Sequence, residues 1–336
     1  MKTVGSRCEG RAIQTSSPTL RLNLTTRAFN LLIQGLLSIP IVGLWLARSR
    51  AFEQATHLAS LGMPIDTGAA DLWEVVFRTI GLGAAVSIGA LVLGTTLAWL
   101  EHRIDVPGRR ALAMGVLLPL AIPSYLLAGT IQRAVEPEGF IGSCIGNTTA
   151  FTGFWPSVLV LIVVTSPYVH LLVGAALTRI PGAELEAARS LGHSRWSTFR
   201  HIILPRLRPS LSFALLLVAI YTISDFGCVS VLDCKVLTWR IYQAQAALQV
   251  VAAVDMGFGI LALVVPLLLV SRLLHGRTHA ERGVANPRPA PPVRPSLFVG
   301  ICAYMLPLIV IGFGVLAPVT ELVQWLSQGV ERGEEL

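Results

Sequence analysis

Seven runs of predominantly apolar residues divide this sequence and limit its fold more than any other feature: 29–47, 80–100, 111–131, 155–177, 211–232, 256–274 and 297–318. Each is close to the roughly 20 residues that a helix needs to cross the hydrocarbon of a bilayer. In that solvent every backbone N–H and C=O has to find its partner inside the protein, so such runs fold as helices. Charge is scarce within them. Only 13% of the 336 residues are charged and 53% are hydrophobic, against roughly 25% charged in an ordinary soluble domain. The expected fold class is all-α, a polytopic transmembrane helical bundle.

The first run follows a long polar leader, 1–28, with no small-x-small cleavage pattern after it, so it reads as a signal anchor and not a removed signal peptide. The net charge of +7 has a spatial meaning once the spans alternate. With the N-terminus in the cytoplasm, the inside segments 1–28, 101–110, 178–210 and 272–296 hold 19 of the 26 basic residues, while acids collect outside. This is the positive-inside pattern. The basic excess therefore marks orientation and contact with membrane lipid, and nucleic acid is not an expected partner.

The segment 186–209 lies on that inside face and is too polar to span. Ile180, Pro181 and Gly182 end the fourth span, and good helix formers follow from Glu184. Leu185, Ala188 and Leu191 share one side at helical spacing. Gly192 is suited to the left-handed conformation that closes a helix. A second short helix then carries Trp196, Phe199 and Ile203 as an apolar stripe with Arg195 and Arg200 off it, and Pro205 and Pro209 are expected to turn the chain into the fifth span. From composition alone this is an amphipathic loop helix at the membrane surface.

Its spacing is more specific. Glu186-Ala187-Ala188, three residues, Gly192, nine residues, then Ile202-x-Leu204-Pro205 resembles the EAA loop of bacterial ABC-importer permeases at every fixed position. The resemblance implies that Glu186, Ala187, Ala188, Gly192, Ile202, Leu204 and Pro205 couple the chain to a separate ATPase subunit. Ser224-Asp225-Phe226-Gly227-Cys228-Val229-Ser230-Val231-Leu232, followed by Thr238-x-x-Ile241-Tyr242, is similar to a segment of ferric-iron-type permeases, as is Pro123-Ser124-Tyr125-x-x-Ala128. Both are shared with thiamine- and phosphonate-type importers.

The likeness covers about 30–275. It implies a leader (1–28), a six-span permease domain (29–274) with the coupling loop at about 180–209, a Pro- and Arg-rich cytoplasmic linker (275–296), a seventh span (297–318) like the first span of a second half, and an acidic external tail (319–336). It further implies two copies of an ATPase, an extracytoplasmic solute-binding protein, and a second permease half or a homodimer. ATP and Mg²⁺ would belong to the ATPase, with no cofactor on this chain. No Walker A pattern surrounds Lys2 or Lys235, the two lysines of the sequence. Ferric iron is the first-choice cargo, with thiamine, phosphonate and polyamine as rivals. An independent secondary carrier, an intramembrane enzyme and an inactive first half remain as other classes.

Within the spans, Asp225 is the one acidic residue, and buried charge in a membrane is expensive. It either faces a translocation path, holds a neighbouring helix through hydrogen bonds, or lies near the outer interface. Pro123, Ser124 and Tyr125 either break the third span along that path or make a packed kink. His170 reads as an interhelical hydrogen-bonding group, and Gly81, Ala85 and Gly89 as a close-packing face. No metal site is expected: the five cysteines lack paired spacing, and His275 with His279 lacks further ligands. Cys144 and Cys234 share the oxidising side, where a disulfide is chemically allowed.

Overall fold

The computed structural model describes residues 72–275 except 138, 147, 148 and 248, together with 292, 293, 295–331 and single positions between 42 and 56. The leader, most of the first span, most of the linker with the His275 and His279 side chains, and 332–336 lie outside the described residues. The chain divides into two units, Met1–Met63 and Pro64–Leu336. In the first, the described residues are helical, with Trp45 and Phe52 exposed and the Thr56 hydroxyl donating to the Glu53 carbonyl at 2.8 Å.

The second unit is all-α. Among its described residues five helices are long and apolar enough to cross a membrane, and a sharply bent pair makes a sixth crossing if taken together. Helix α1 (Leu72–Arg103) shows why. Val75, Thr79, Leu82, Val86, Ala90 and Leu97 recur every three or four residues and are buried, while Trp73, Phe77, Ile88 and Val92 point outward and are exposed. A lipid-facing stripe can be as apolar as the core stripe, because the surroundings are hydrocarbon.

Two helices follow in place of a single third span. Helix α2 (Arg109–Leu117) tightens into a 3-10 turn (Leu118–Ala121), and helix α3 (Ser124–Val135) leaves at 104° to it. Ile122 and Pro123 between them are extended, with ψ of 123° and 142°. Proline disfavours helical geometry in the residue before it, so Pro123 ends the first piece at Ile122. The predicted span 111–131 is thus two helices that meet at Ile122 and Pro123. The short helix α4 (Phe140–Ile145) follows.

Helix α5 (Phe154–Thr178) runs through the centre, buried on several sides by Leu161, Val164, Val169, Val173 and Leu177. It approaches α1 closely at Gly94, where an added Cβ would lie 2.6 Å from the Ser166 carbonyl oxygen and 2.6 Å from Val169 Cβ. On the face that the sequence marked for packing, a Cβ at Gly89 would lie 2.2 Å from Ile162 Cδ1 and 2.8 Å from its Cγ1, and one at Gly81 3.8 Å from the Phe154 ring. Across the same interface His170 Nε2 lies 2.9 Å from Glu101 Oε2, an interhelical polar contact.

Helix α6 (Gly182–Ser190) precedes a helical turn (Arg195–Thr198), a π-turn (Phe199–Ile203) and helix α7 (Leu204–Ser224). Trp196–Ser224 is one continuous helix, so Pro205 and Pro209 do not turn the chain. Pro205 lies inside that helix, where its missing N–H removes a backbone bond. Just before it the Leu204 N–H bonds back to the Phe199 carbonyl, the wide spacing of a π-turn, and the helix continues past the proline through this local bulge.

Helix α8 (Gly227–Val231) is separated from α7 by Asp225 and Phe226, so the predicted span 211–232 ends as a helix at Ser224. Helices α9 (Leu237–Ala246) and α10 (Val250–His275) form a satellite core with the start of α1 through Val75, Leu237, Ala253 and Met256.

The last run packs on the same unit. Helix α11 (Leu297–Ile311), a π-turn (Gly312–Leu316) and helix α12 (Ala317–Glu331) lie against α1, α2 and α3. Val310 joins Leu97 and Val116, and the Arg133 guanidinium sits 4.7 Å over the Trp325 ring. Residues 319–331, expected as a tail, are therefore helical. Their exposed Leu322, Val323 and Leu326 continue the apolar surface.

Candidate functional site

Two places gather the residues that the sequence singled out. At the first, α6 ends in a hydrogen-bond pattern that only a left-handed residue allows. Gly192 has φ +82°. Its N–H bonds to the Arg189 carbonyl at 2.9 Å, and the His193 N–H reaches the Ala188 carbonyl at 3.0 Å. These are the two bonds of a Schellman cap. Glu184 pairs with Arg206, tying α6 to the start of α7. Phe199 packs edge-on to Trp99 of α1 at 5.5 Å.

The loop is thereby a fixed shape with a defined outward face. Leu185 and Ala188 are buried against the bundle, whereas Glu186, Ala187 and Gly192 are exposed. Leu191, expected on the inner side, is 80% exposed, because the cap ends the helix at Ser190 and swings it out. Trp196 is 68% exposed. Ile202 and Leu204 are half-buried and Pro205 is exposed. The outward face thus combines a carboxylate, small residues and two large apolar side chains.

The second place is where the two helix breaks meet. Asp225 Oδ1 accepts the Cys228 N–H at 2.8 Å. Asp225 is thus the cap of α8. Gly227 lets the pieces approach, since a Cβ there would lie 2.9 Å from Ser124 Oγ and 3.0 Å from Tyr125 Cβ. Thr238 Oγ1 donates to the Asp225 carbonyl at 3.1 Å, and the Tyr242 ring lies 5.1 Å from that of Phe226. The Asp225-Phe226-Gly227 and Thr238-x-x-Ile241-Tyr242 stretches form one structure, which their separation in sequence did not show. Around it Pro123 is exposed, and Tyr125, Phe226 and Tyr242 are 56%, 39% and 55% exposed.

Among the described residues no group of three or more His, Cys, Asp or Glu side chains has the arrangement of a metal site. Cys144 is exposed and Cys234 buried, both with free thiols, so they are not bonded to each other.

An all-helical membrane bundle built around two broken helices is the architecture of a transport permease. Residues 90–279 match the family described as "binding-protein-dependent transport system inner membrane component", and the chain belongs to that family. The Fe(3+)-transport system permease protein FbpB 2 of Haemophilus influenzae is 31% identical over 170 residues, 51% of this chain and 31% of that protein. The sulfate transport system permease protein CysW of Escherichia coli strain K12 is 32% identical over 166 residues, 48% of this chain and 57% of the relative. CysT of Synechococcus elongatus is 33% identical over 178 residues, 51% and 59% of the two chains. The aligned parts span about a third to three fifths of these relatives. A chain of a bacterial ABC transporter involved in alginate import superposes with a TM-score of 0.56 at 18% identity, covering 77% of this chain and 97% of the other, and shares its fold.

Proposed function

We propose that this chain is a membrane-spanning permease subunit of an ATP-driven importer, with its N-terminus in the cytoplasm. The observation that carries the proposal is the Gly192-capped loop, held rigid by Glu184 and Arg206, which turns Glu186, Ala187, Leu191 and Trp196 away from the bundle. A rigid loop projecting from a helical bundle suits a lever that a separate ATPase grips, so that nucleotide-driven closure of two ATPase copies moves α5 and α7. ATP and Mg²⁺ belong to those subunits. A solute-binding protein delivers cargo at the other face, and a second permease half or a second copy of this chain completes the path.

Pro123, Ser124, Tyr125 and Asp225 belong to that path as the hinge where two broken helices meet. Unwound backbone in a membrane is tolerated where it is packed in protein or lines a cavity. The cargo is an inorganic ion. Ferric iron is supported by the 224–242 resemblance and by the likeness to FbpB 2. Sulfate has equal support from CysW and CysT. The hydrogen bond from the Cys228 N–H to the Asp225 carboxylate supports a structural role for it as a helix cap. A secondary carrier leaves the outward face of the loop without a purpose.

The test is copurification from native membranes followed by uptake of radiolabelled ferric iron and sulfate. An ATPase recovered with the wild-type chain and lost on Glu186→Lys or Gly192→Pro supports the reading. Unimpaired uptake by a complex carrying either change overturns it.

A further inference from the structure

Beneath the coupling loop lies a cavity of about 280 Å³, lined mainly by apolar residues together with Arg103 and Arg189. Arg103, at the end of α1, is 8% exposed, and its Nε and one Nη find no hydrogen-bond partner. The guanidinium stands 5.8 Å over the Trp99 ring, which does not use those N–H groups. Arginine keeps its proton in proteins, so this is a permanent charge. A buried, uncompensated charge is strongly destabilising. The other charged group that acts on it is a second cation, Arg189 of α6, on the same cavity wall. Glu186 also borders the cavity but is exposed, and among the described residues no carboxylate forms an ion pair with Arg103 or Arg189.

Two helices also begin at this cavity. Gly182 of α6 and Ser296, the N-cap of the 15-residue α11, line it, and neither helix start is capped by a side chain. The N–H groups at the start of α11, whose first turn holds no acidic residue, favour an anion. The chain leading to Ser296 is fixed beside Arg103: the Val293 N–H donates to the Arg103 carbonyl at 2.9 Å, and the Asp105 N–H to the Val293 carbonyl at 3.1 Å.

We propose that Arg103 and Arg189, with the first turn of α11, bind a tetrahedral phosphate-type oxyanion in this cavity. The planar guanidinium offers paired donors to two oxygens of such a group. The anion supplies the missing countercharge and joins the coupling loop to the segment after the linker. It comes either from solution, as phosphate or a phosphate monoester, or from the headgroup of an anionic lipid. The site shares no residue with the Asp225 junction and does not depend on the cargo.

The experiment uses the full chain in phosphatidylcholine nanodiscs, with the unfolding midpoint followed as inorganic phosphate replaces chloride at constant ionic strength. A saturable rise in the wild type that is lost in Arg103→Gln and Arg189→Gln, yet kept in the exposed Arg200→Gln, supports the site with a soluble anion. In phosphate-free discs containing phosphatidylglycerol, a rise with the same dependence on Arg103 and Arg189, and retention of that lipid in native mass spectrometry, assigns the site to a headgroup. Arg103→Gln is expected to unfold at or above the wild-type temperature when both anions are absent, because the uncompensated charge is gone. If Arg103→Gln does not fold, the exposed Arg189→Gln decides. No rise with either anion, or a rise of equal size in both the Arg103 and Arg189 variants, overturns the proposal.

Discussion

Asp225 Oδ1 accepts the Cys228 N–H at 2.8 Å, turning a carboxylate that interrupts an apolar run into the cap of a new helix. Gly227, in the helix so capped, lies against Ser124 and Tyr125 at the start of α3. Asp225→Asn keeps the accepting oxygen and is expected to fold with nearly wild-type stability. Asp225→Ala removes it, with an expected loss of about 1 kcal/mol, the usual effect of deleting a helix cap. Thermal unfolding of the two variants in one detergent checks the order.

Gly192 is at φ +82° with no atom within 4 Å of where a Cβ would stand. Substitution there meets backbone strain and no clash. Gly192→Ala is expected to weaken the loop by about 1 kcal/mol, and Gly192→Asn by less, since asparagine tolerates the left-handed region. Hydrogen exchange of the His193 amide, whose bond to Ala188 depends on this geometry, is the direct readout.

Gly94 and Gly89 lie on the same helix but face different obstacles. A methyl at Gly94 meets the Ser166 carbonyl, which cannot move without displacing α5. Gly94→Ala is therefore expected to destabilise by about 1–3 kcal/mol, as overpacking does. At Gly89 the Ile162 side chain, with Cδ1 and Cγ1 2.2 and 2.8 Å from an added Cβ, has to move, but no backbone atom does. The helix-propensity gain of alanine, up to about 1 kcal/mol, offsets part of that, so Gly89→Ala is expected to destabilise less than Gly94→Ala. Equal midpoints for the two variants would contradict the α1–α5 packing described above.

Two acids of α1 offer a further contrast. Glu101 contacts His170, which is 4% exposed, and Glu101→Ala leaves a buried polar group without its partner, an effect of about 1–3 kcal/mol. Glu74 pairs with Arg78 at 2.8 Å on the open surface. Glu74→Ala is expected to change stability by less than about 0.5 kcal/mol. Parallel unfolding curves decide between these magnitudes.

The sequence by itself determined the helical class and the composition of the loop at 186–205. Apolar run length and backbone satisfaction in lipid leave little else, and Glu186, Gly192 and Pro205 carry their spacing openly. The tertiary structure decided where the runs break and which sides face inward. Apolar length alone could not split 111–131 or 211–232, because the breaks at Pro123 and Asp225 stabilise each other across the fold. It could not place Leu191 outside, since its direction depends on a cap formed two residues along. Nor could it find Arg103, whose charge looks like one more inside-facing basic residue until α6 and α11 close over it. Periodicity is a local property of the chain, whereas helix breaks, close approaches and uncompensated charges arise from what distant segments bring together.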